Sequence, residues 1–467
     1  MDMRPELNQE QLPEFLREDY EIRDRTVADI KEPPRNWKQM IKFFGPSFVI
    51  MGATVGSGEL ISTTILGAKL GFVMLWMLII GVILKATLQE LMARYTIYTG
   101  NGLMDILDEV PGKVGKASWA VWWAGFLLLS LLVNMAGIVG VMGLAVKGLV
   151  GFGNPNIWGL AISIIGVVLL LRGIYDDLEK TTVVLVGVFS LITVFIAFFL
   201  IQSTPYSYSV ADLASGLTFS FPPEGWFVAL AVFGATGITA NEILTYTYWV
   251  KGKGYASWAG PRDSEGFVER ANGWVKVMRA DIIAGSVLVI LVTVAFYILG
   301  AAVLHVMGKV PAGFDVVETI SSIYTESVGS WTRTLFMFSA IAILFTTFTV
   351  NTAGIARIIG DVLFKSQIIK GDSIAKKIKI RLIFTILGPI IMLMMYFLIP
   401  APTQLILFGQ YLLALSLPIA AIVAIILENK LKKEFPQLAL GGFGTVLLWV
   451  SAILIIGFVL ASNFLGK

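Results

Sequence analysis

The stretch "GATVGSGEL", Gly52 to Leu60, lies inside an apolar run long enough to cross a bilayer, for which about 20 residues suffice. It is poor material for a spanning helix. Glycine costs about 1 kcal/mol against alanine in a helix interior, and a carboxylate at membrane depth costs about 2.5 kcal/mol or more. The pattern returns as "GATGITANEI", Gly234 to Ile243. Gly-Ala-Thr opens both copies, Glu59 follows Thr54 by five residues, and Glu242 follows Thr236 by six. Breakers or weak helix formers lie between: Gly56, Ser57 and Gly58 in one copy, Gly237, Thr239 and Asn241 in the other.

Composition sets the class. Of 467 residues, 56% are hydrophobic and only 14% charged, and mean hydropathy is +0.80, as in a polytopic membrane protein. A net charge of +3 gives no reason to expect a nucleic-acid partner. Cysteine is absent and histidine occurs once, at His305, so disulfides, thiolate ligands and His-clustered chemistry are excluded. Nothing resembles a nucleophile–base pair; neither an enzyme nor a cofactor is expected.

Eleven spans are predicted, near 44–67, 71–98, 118–147, 155–172, 178–202, 225–250, 277–307, 332–364, 380–400, 402–427 and 439–464. Residues 1–42 carry both charge signs and read as a flexible cytoplasmic tail; residues 43–467 read as one transporter domain. Lys and Arg gather in alternate loops: the loop after the eighth span holds Lys365, Lys370, Lys376 and Lys377, whereas Ser203 to Glu224 holds neither Lys nor Arg. The alternation places the N-terminus in the cytoplasm and the C-terminus outside. The expected setting is the plasma membrane, with the chain a monomer in the bilayer.

The two Gly-Ala-Thr copies are offset by five spans, an odd number, so they have inverted topology. Repeat one covers about 44–202, repeat two about 225–427, and a further helix about 439–464. Interrupted helices at matching places in inverted halves point to a transporter's binding site. Backbone groups freed by the breaks are tolerated in a bilayer only where they line a cavity. Carbonyls with carboxylate, hydroxyl and amide oxygens make a hard-cation site.

The residues then resemble a known family. "GPSFVIMGATVGSGELISTTILGAKLGFVMLW" with "LQELMARYTIYTG", "GATGITAN" on the sixth span and "GQYLLALSLPIA", Gly409 to Ala420, on the tenth are similar to Nramp divalent metal transporters. The resemblance implies the LeuT-type fold: an all-α protein of five plus five inverted helices, with helices 1 and 6 unwound, here with 11 spans. The family's first-helix motif, Asp-Pro-Gly-Asn, stands here as Gly56-Ser57-Gly58-Glu59, and its Met-Pro-His as Ile238-Thr239-Ala240. Ala235 matches a residue offering its carbonyl, and Gln410 a tenth-helix glutamine. The acidic pair of the third helix is missing from Asn134 to Gly140, which removes the family's proton route.

The resemblance thus implies a metal set of Glu59, Gly56, Ala235, Thr239, Asn241 and Gln410, with Glu59 carrying the main charge and Glu242 left unassigned. Loss of the thioether favours Mg²⁺ or Mn²⁺ over softer ions, as in the Nramp-related magnesium transporters. The expected function is alternating-access transport of a divalent cation, the cation being substrate, without proton coupling. A small organic solute or anion is the alternative cargo. Among other residues, Lys85 is expected to pair with Gln89 or Glu90 one turn away, and Asp281 with Arg279 or Lys276. Asn351 and Thr352 are expected to hydrogen-bond between helices.

Overall fold

The computed structural model describes residues 25–47, 56–172, 175–222, 224–371 and 374–465. Gly52, Ala53 and Thr54 of the opening motif, and residues 1–24 of the tail, lie outside the described residues. Ten helices among the described residues are long and apolar enough to cross a membrane. Of the first predicted span, the described part is a π-helical turn, Gly58–Thr63, that continues into α1, Thr64–Leu70. The first half then comprises α2 (Leu75–Thr99), α3 (Trp119–Val150), α4 (Pro155–Arg172) and α5 (Tyr175–Phe198). The second comprises α6 (Trp226–Ala235), α7 (Ala240–Lys253), α8 (Phe267–Leu299), α9 (Thr332–Lys365), α10 (Ile374–Leu398) and α11 (Pro402–Glu434). The last helix, α12, is Gly442–Leu465. The sixth span is therefore cut in two, as the glycine and the capping residues demand.

Apolar side chains have no hydrophobic incentive to pack together in lipid, so close backbone approach does much of the work. α3 packs on α9 and α11, α6 on α11, and α2 on α7 and α8. Glycines set these crossings. A Cβ on Gly234 would lie 2.5 Å from Gln410 O and from Ala414 N, and one on Gly300 2.4 Å from Thr64 O. The small-residue reading of the repeat thus holds for Gly234, whose bareness lets α6 rest on the α11 backbone beside Gln410.

Three expectations change here. α8 starts at Phe267, ten residues before the predicted 277, because its first turns are held by protein contacts and carry a weak apolar signal: Trp274 is buried and Arg270 donates to Ala259 O (3.1 Å). Residues 25–42, most of whose side chains are exposed, are held to the rest of the protein at Arg25 and Lys31. Arg25 lays its guanidinium on the carbonyls of Thr96 (3.3 Å), Ile97 and Tyr98 (3.2 Å) at the end of α2, a favourable place for a cation. Burial, then the Arg262 charge, lowers its pKa to about 10, which leaves it charged at neutral pH. Trp274 Nε1 donates to Lys31 O (3.0 Å). Asp281, third, forms no interfacial ion pair. Its buried carboxylate accepts from Gly45 N (2.9 Å), Ser47 N (2.8 Å) and Tyr246 Oη (3.0 Å), tying the start of the first span to α7 and α8.

Gly234→Val should push α6 off α11 and cost about 1–3 kcal/mol, the usual range for overpacking. Thermal unfolding of the purified protein measures it; an unchanged midpoint would show that the crossing can widen freely.

Candidate functional site

The site grows from the cut between α6 and α7. Thr236 is extended (φ −90°, ψ 141°), Gly237 turns back with φ +68°, and Thr239 is extended again (φ −89°, ψ 172°). Gly237 is required at that positive φ, which costs a residue with a Cβ about 1 kcal/mol or more. Thr239 Oγ1 accepts from Asn241 N (3.1 Å) and Glu242 N (3.4 Å). Glu242 reaches back to Thr239 N (3.0 Å) and to its hydroxyl. The two form a capping box on α7.

The first span does the same with other residues. Beyond the bend at Gly56, Glu59 Oε2 accepts from Gly56 N (3.4 Å), again three residues back. Ser62 Oγ donates to the carbonyl of Ser57 (3.4 Å) at the start of the wider π turn. Gly58 is pressed to the α6 end, where a Cβ would meet Ala235 O at 2.6 Å.

Glu59 and Glu242 then part ways. Glu59 is fully buried and turns toward the other break, accepting from Gly237 N (2.9 Å) and Thr293 Oγ1 (3.4 Å). Glu242 faces a cavity of about 40 Å³ that opens on one side. By the volume a single water needs, about 10–15 Å³, this is room for about three water-sized spheres. Gly56, Ser57, Gly58, Asn134, Ala235, Thr239, Thr347, Asn351 and Gln410 complete the polar wall, with Leu131, Met135 and Leu413 as its apolar part.

Four of the six expected residues, Gly56, Ala235, Thr239 and Gln410, therefore meet at one cavity. Glu59 is not among the residues of that wall; its carboxylate accepts from the backbone N–H groups of Gly56 and Gly237. Asn241 is corrected to a buried first-turn residue of α7 outside that wall. Among the described residues no three His, Asp or Glu side chains come together as a metal cluster, and Glu242 is the one carboxylate in the described wall.

Lys85 departs from its expected local pair. Its ammonium is fully buried and donates to Phe233 O (2.7 Å) and Thr236 O (2.6 Å), carbonyls at the end of α6. Glu90 instead meets Arg94 (3.2 Å) and Arg279 (2.7 Å). Carbonyls freed by the cut outcompete a pair along one helix, because they have no helical N–H to accept from. Asn351 and Thr352 bond within α9, to Thr347 O (2.8 Å) and Phe348 O (2.7 Å), and not between helices.

Asn134 Nδ2 donates to Ile406 O (3.3 Å), and Ser57 Oγ lies 3.4 Å from Asn134 Oδ1. Gln410 Nε2 reaches Ser57 Oγ (3.5 Å), while Gln410 Oε1 is buried with no hydrogen-bond partner among the described residues. The sequence reading left open whether Glu242 faces the cavity; the structure puts it in the wall, and "TANE", Thr239 to Glu242, has capping-box spacing. Ser57, Thr347 and Asn351 carried no comparable signal.

The sequence model of the family described as "Natural resistance-associated macrophage protein-like" (Nramp) matches residues 47–464. The chain belongs to the Nramp family. It is 23% identical over 472 residues to the divalent metal cation transporter MntH of Nostoc sp., covering 97% of this chain and 96% of that protein. With MntH of Latilactobacillus sakei it is 25% identical over 218 residues, 45% of this chain and 46% of the other. A crystal structure of the Eremococcus coleocola manganese transporter superposes with a TM-score of 0.65 at 17% identity, covering 95% of this chain and 98% of that one. Mhp1, a nucleobase-cation-symport-1 family transporter, superposes at 0.56 with 14% identity and 91% of each chain covered. These likenesses establish the fold. This Nramp member is a multi-pass membrane transporter of the LeuT type and not an enzyme, its five-plus-five arrangement the one expected.

Glu59→Leu strands the Gly237 N–H and takes a countercharge from Lys85, so it should lower stability by about 1–3 kcal/mol. Glu59→Gln keeps one acceptor and should cost less. Thermal unfolding of both variants checks the order; equal midpoints for all three proteins would sink this role for Glu59.

Proposed function

We propose that this Nramp member moves a divalent metal cation, Mg²⁺ or Mn²⁺, across the plasma membrane by alternating access, with the cavity beside Glu242 as the binding site. One observation carries the reading. The buried Gln410 Oε1 has no donor among the described residues, in a wall where it joins the Glu242 carboxylate and the oxygens of Asn134, Thr239, Thr347 and Asn351. An acceptor left bare costs about 1–3 kcal/mol unless a cation or its water meets it. The donors are oxygens throughout, which suits hard ions that retain water. The relatives named as divalent metal cation transporters and as a manganese transporter support the same substrate class. Ala235 offers its carbonyl from the end of α6.

Asn134 and Gly137 stand on α3 where the family's acidic pair is expected, so metal entry runs without a proton. The Lys- and Arg-rich loops face the cytoplasm, the N-terminus with them and the C-terminus outside, and the chain works as a monomer. A second reading, a small organic solute, is favoured by the single carboxylate and by Leu131, Met135 and Leu413 in the wall.

Reconstitution into liposomes decides between them, with internal dyes for Mg²⁺ or Mn²⁺ and a pH monitor. Glu242→Gln keeps the cap on α7 but removes the charge, so flux should fall about tenfold or more. Absence of flux for both ions in the wild type would sink the metal reading. Proton movement that tracks metal entry would sink the uncoupled mechanism.

A further inference from the structure

We propose that Lys85 is a built-in cation that sets how tightly the site holds its substrate ion. The inference rests on the divalent-cation reading and names a specificity residue for it. Cutting the sixth span leaves the negative end of α6 facing into the protein, and its freed carbonyls are the groups a hard cation would take. Lys85 Nζ occupies two of them, Phe233 O at 2.7 Å and Thr236 O at 2.6 Å, with the Phe233 ring 5.1 Å away. A third, Ala235 O, is turned to the cavity side, where it sits against Gly58.

Hydrogen bonding alone does not call for a lysine. A neutral donor satisfies carbonyls without the desolvation cost of a full charge, which is several kcal/mol per buried ion. What the ammonium adds is charge. The carboxyl groups of Glu59 and Glu242 bind Gly237 N and Thr239 N, one and three residues beyond the Thr236 carbonyl that Lys85 takes, so the ammonium offsets negative charge around the break. A divalent ion entering the cavity then meets less negative charge than the two glutamates alone would offer. Ala235 O, at a helix end whose dipole Lys85 already offsets, is a weaker ligand than a free helix end offers. The lysine therefore holds affinity down and lets the ion leave.

The test uses the full chain with Mn²⁺ alone as the probe, titrated calorimetrically and repeated with Mg²⁺. Lys85→Gln keeps N–H donors for Phe233 O and Thr236 O but removes the charge; Lys85→Met removes both. Both variants should bind Mn²⁺ more tightly than the wild type, by about tenfold or more, since one charge is lost near a partly desolvated site. In liposomes KM should fall together with the maximal rate. A merely structural lysine predicts the opposite, weaker binding in both variants. If Lys85→Met does not fold, Lys85→Gln decides. Unchanged or weaker binding in a folded variant overturns the proposal while leaving the transport reading intact. Binding in a Lys85 variant with none detected in the wild type is the same tightening at the limit of the titration and supports the role of Lys85; absence of binding in all three overturns both the transport reading and the proposal.

Discussion

A helix cut in the middle of a membrane must find partners for the backbone groups it exposes, since lipid offers none. Most of the interior of this protein answers that demand. At the carbonyl end of α6 stands the Lys85 ammonium; at the amide end of the linker stands the Glu59 carboxylate on Gly237 N; at the start of α7 stands the box of Thr239 and Glu242. The signs follow the two helix dipoles, positive charge at a C-terminus and negative charge at an N-terminus. Each charge is fixed by another element: Lys85 by α2, Glu59 by the π turn before α1. The break thus ties the two halves of the protein together through buried charges.

The halves are alike in one respect and unlike in another. In both, a glutamate reaches back three residues to the amide where the helix resumes, Glu59 to Gly56 and Glu242 to Thr239. This explains why the same poor helix material occurs twice with an acid after it. The onward contacts differ. Glu59 is spent on the opposite break, while Glu242 keeps an aspect on the cavity between α3, α9 and α11. The two parts are therefore alike in their caps and unlike in where their carboxylates lead, one to the opposite break and one to the cavity.

Gln410 shows how packing serves that asymmetry. It is placed by the crossing of α6 and α11, where bare Gly234 rests on the carbonyl of Gln410 itself. Its amide nitrogen leans on Ser57 and its oxygen is left over. A similar economy holds at the far end of α8, where Asp281 gathers two amides of the first span and a tyrosine hydroxyl. Sequence spacing suggested local ion pairs for both Lys85 and Asp281. Each instead serves backbone groups more than a hundred residues away, because unpaired backbone groups compete more strongly for a buried charge than a hydrated neighbour on the same helix.

The spans, the inverted repeat, the two breaks and the glutamates beside them were determined by the sequence alone, because apolar length, glycine and capping chemistry act over a few residues. The spacing of Thr239 and Glu242 even contained the cap that the reading of the repeat overlooked. The direction in which each glutamate faces was decided only by the tertiary structure. A π turn rotates Glu59 onto Gly237, a crossing of bare glycines sets Gln410 beside the cavity, and a lysine from α2 takes the carbonyls that local pattern had left for an ion. These are contacts between elements distant in the chain, and no local spacing encodes which of two equivalent acids will be used to close the structure and which will be left facing the cavity.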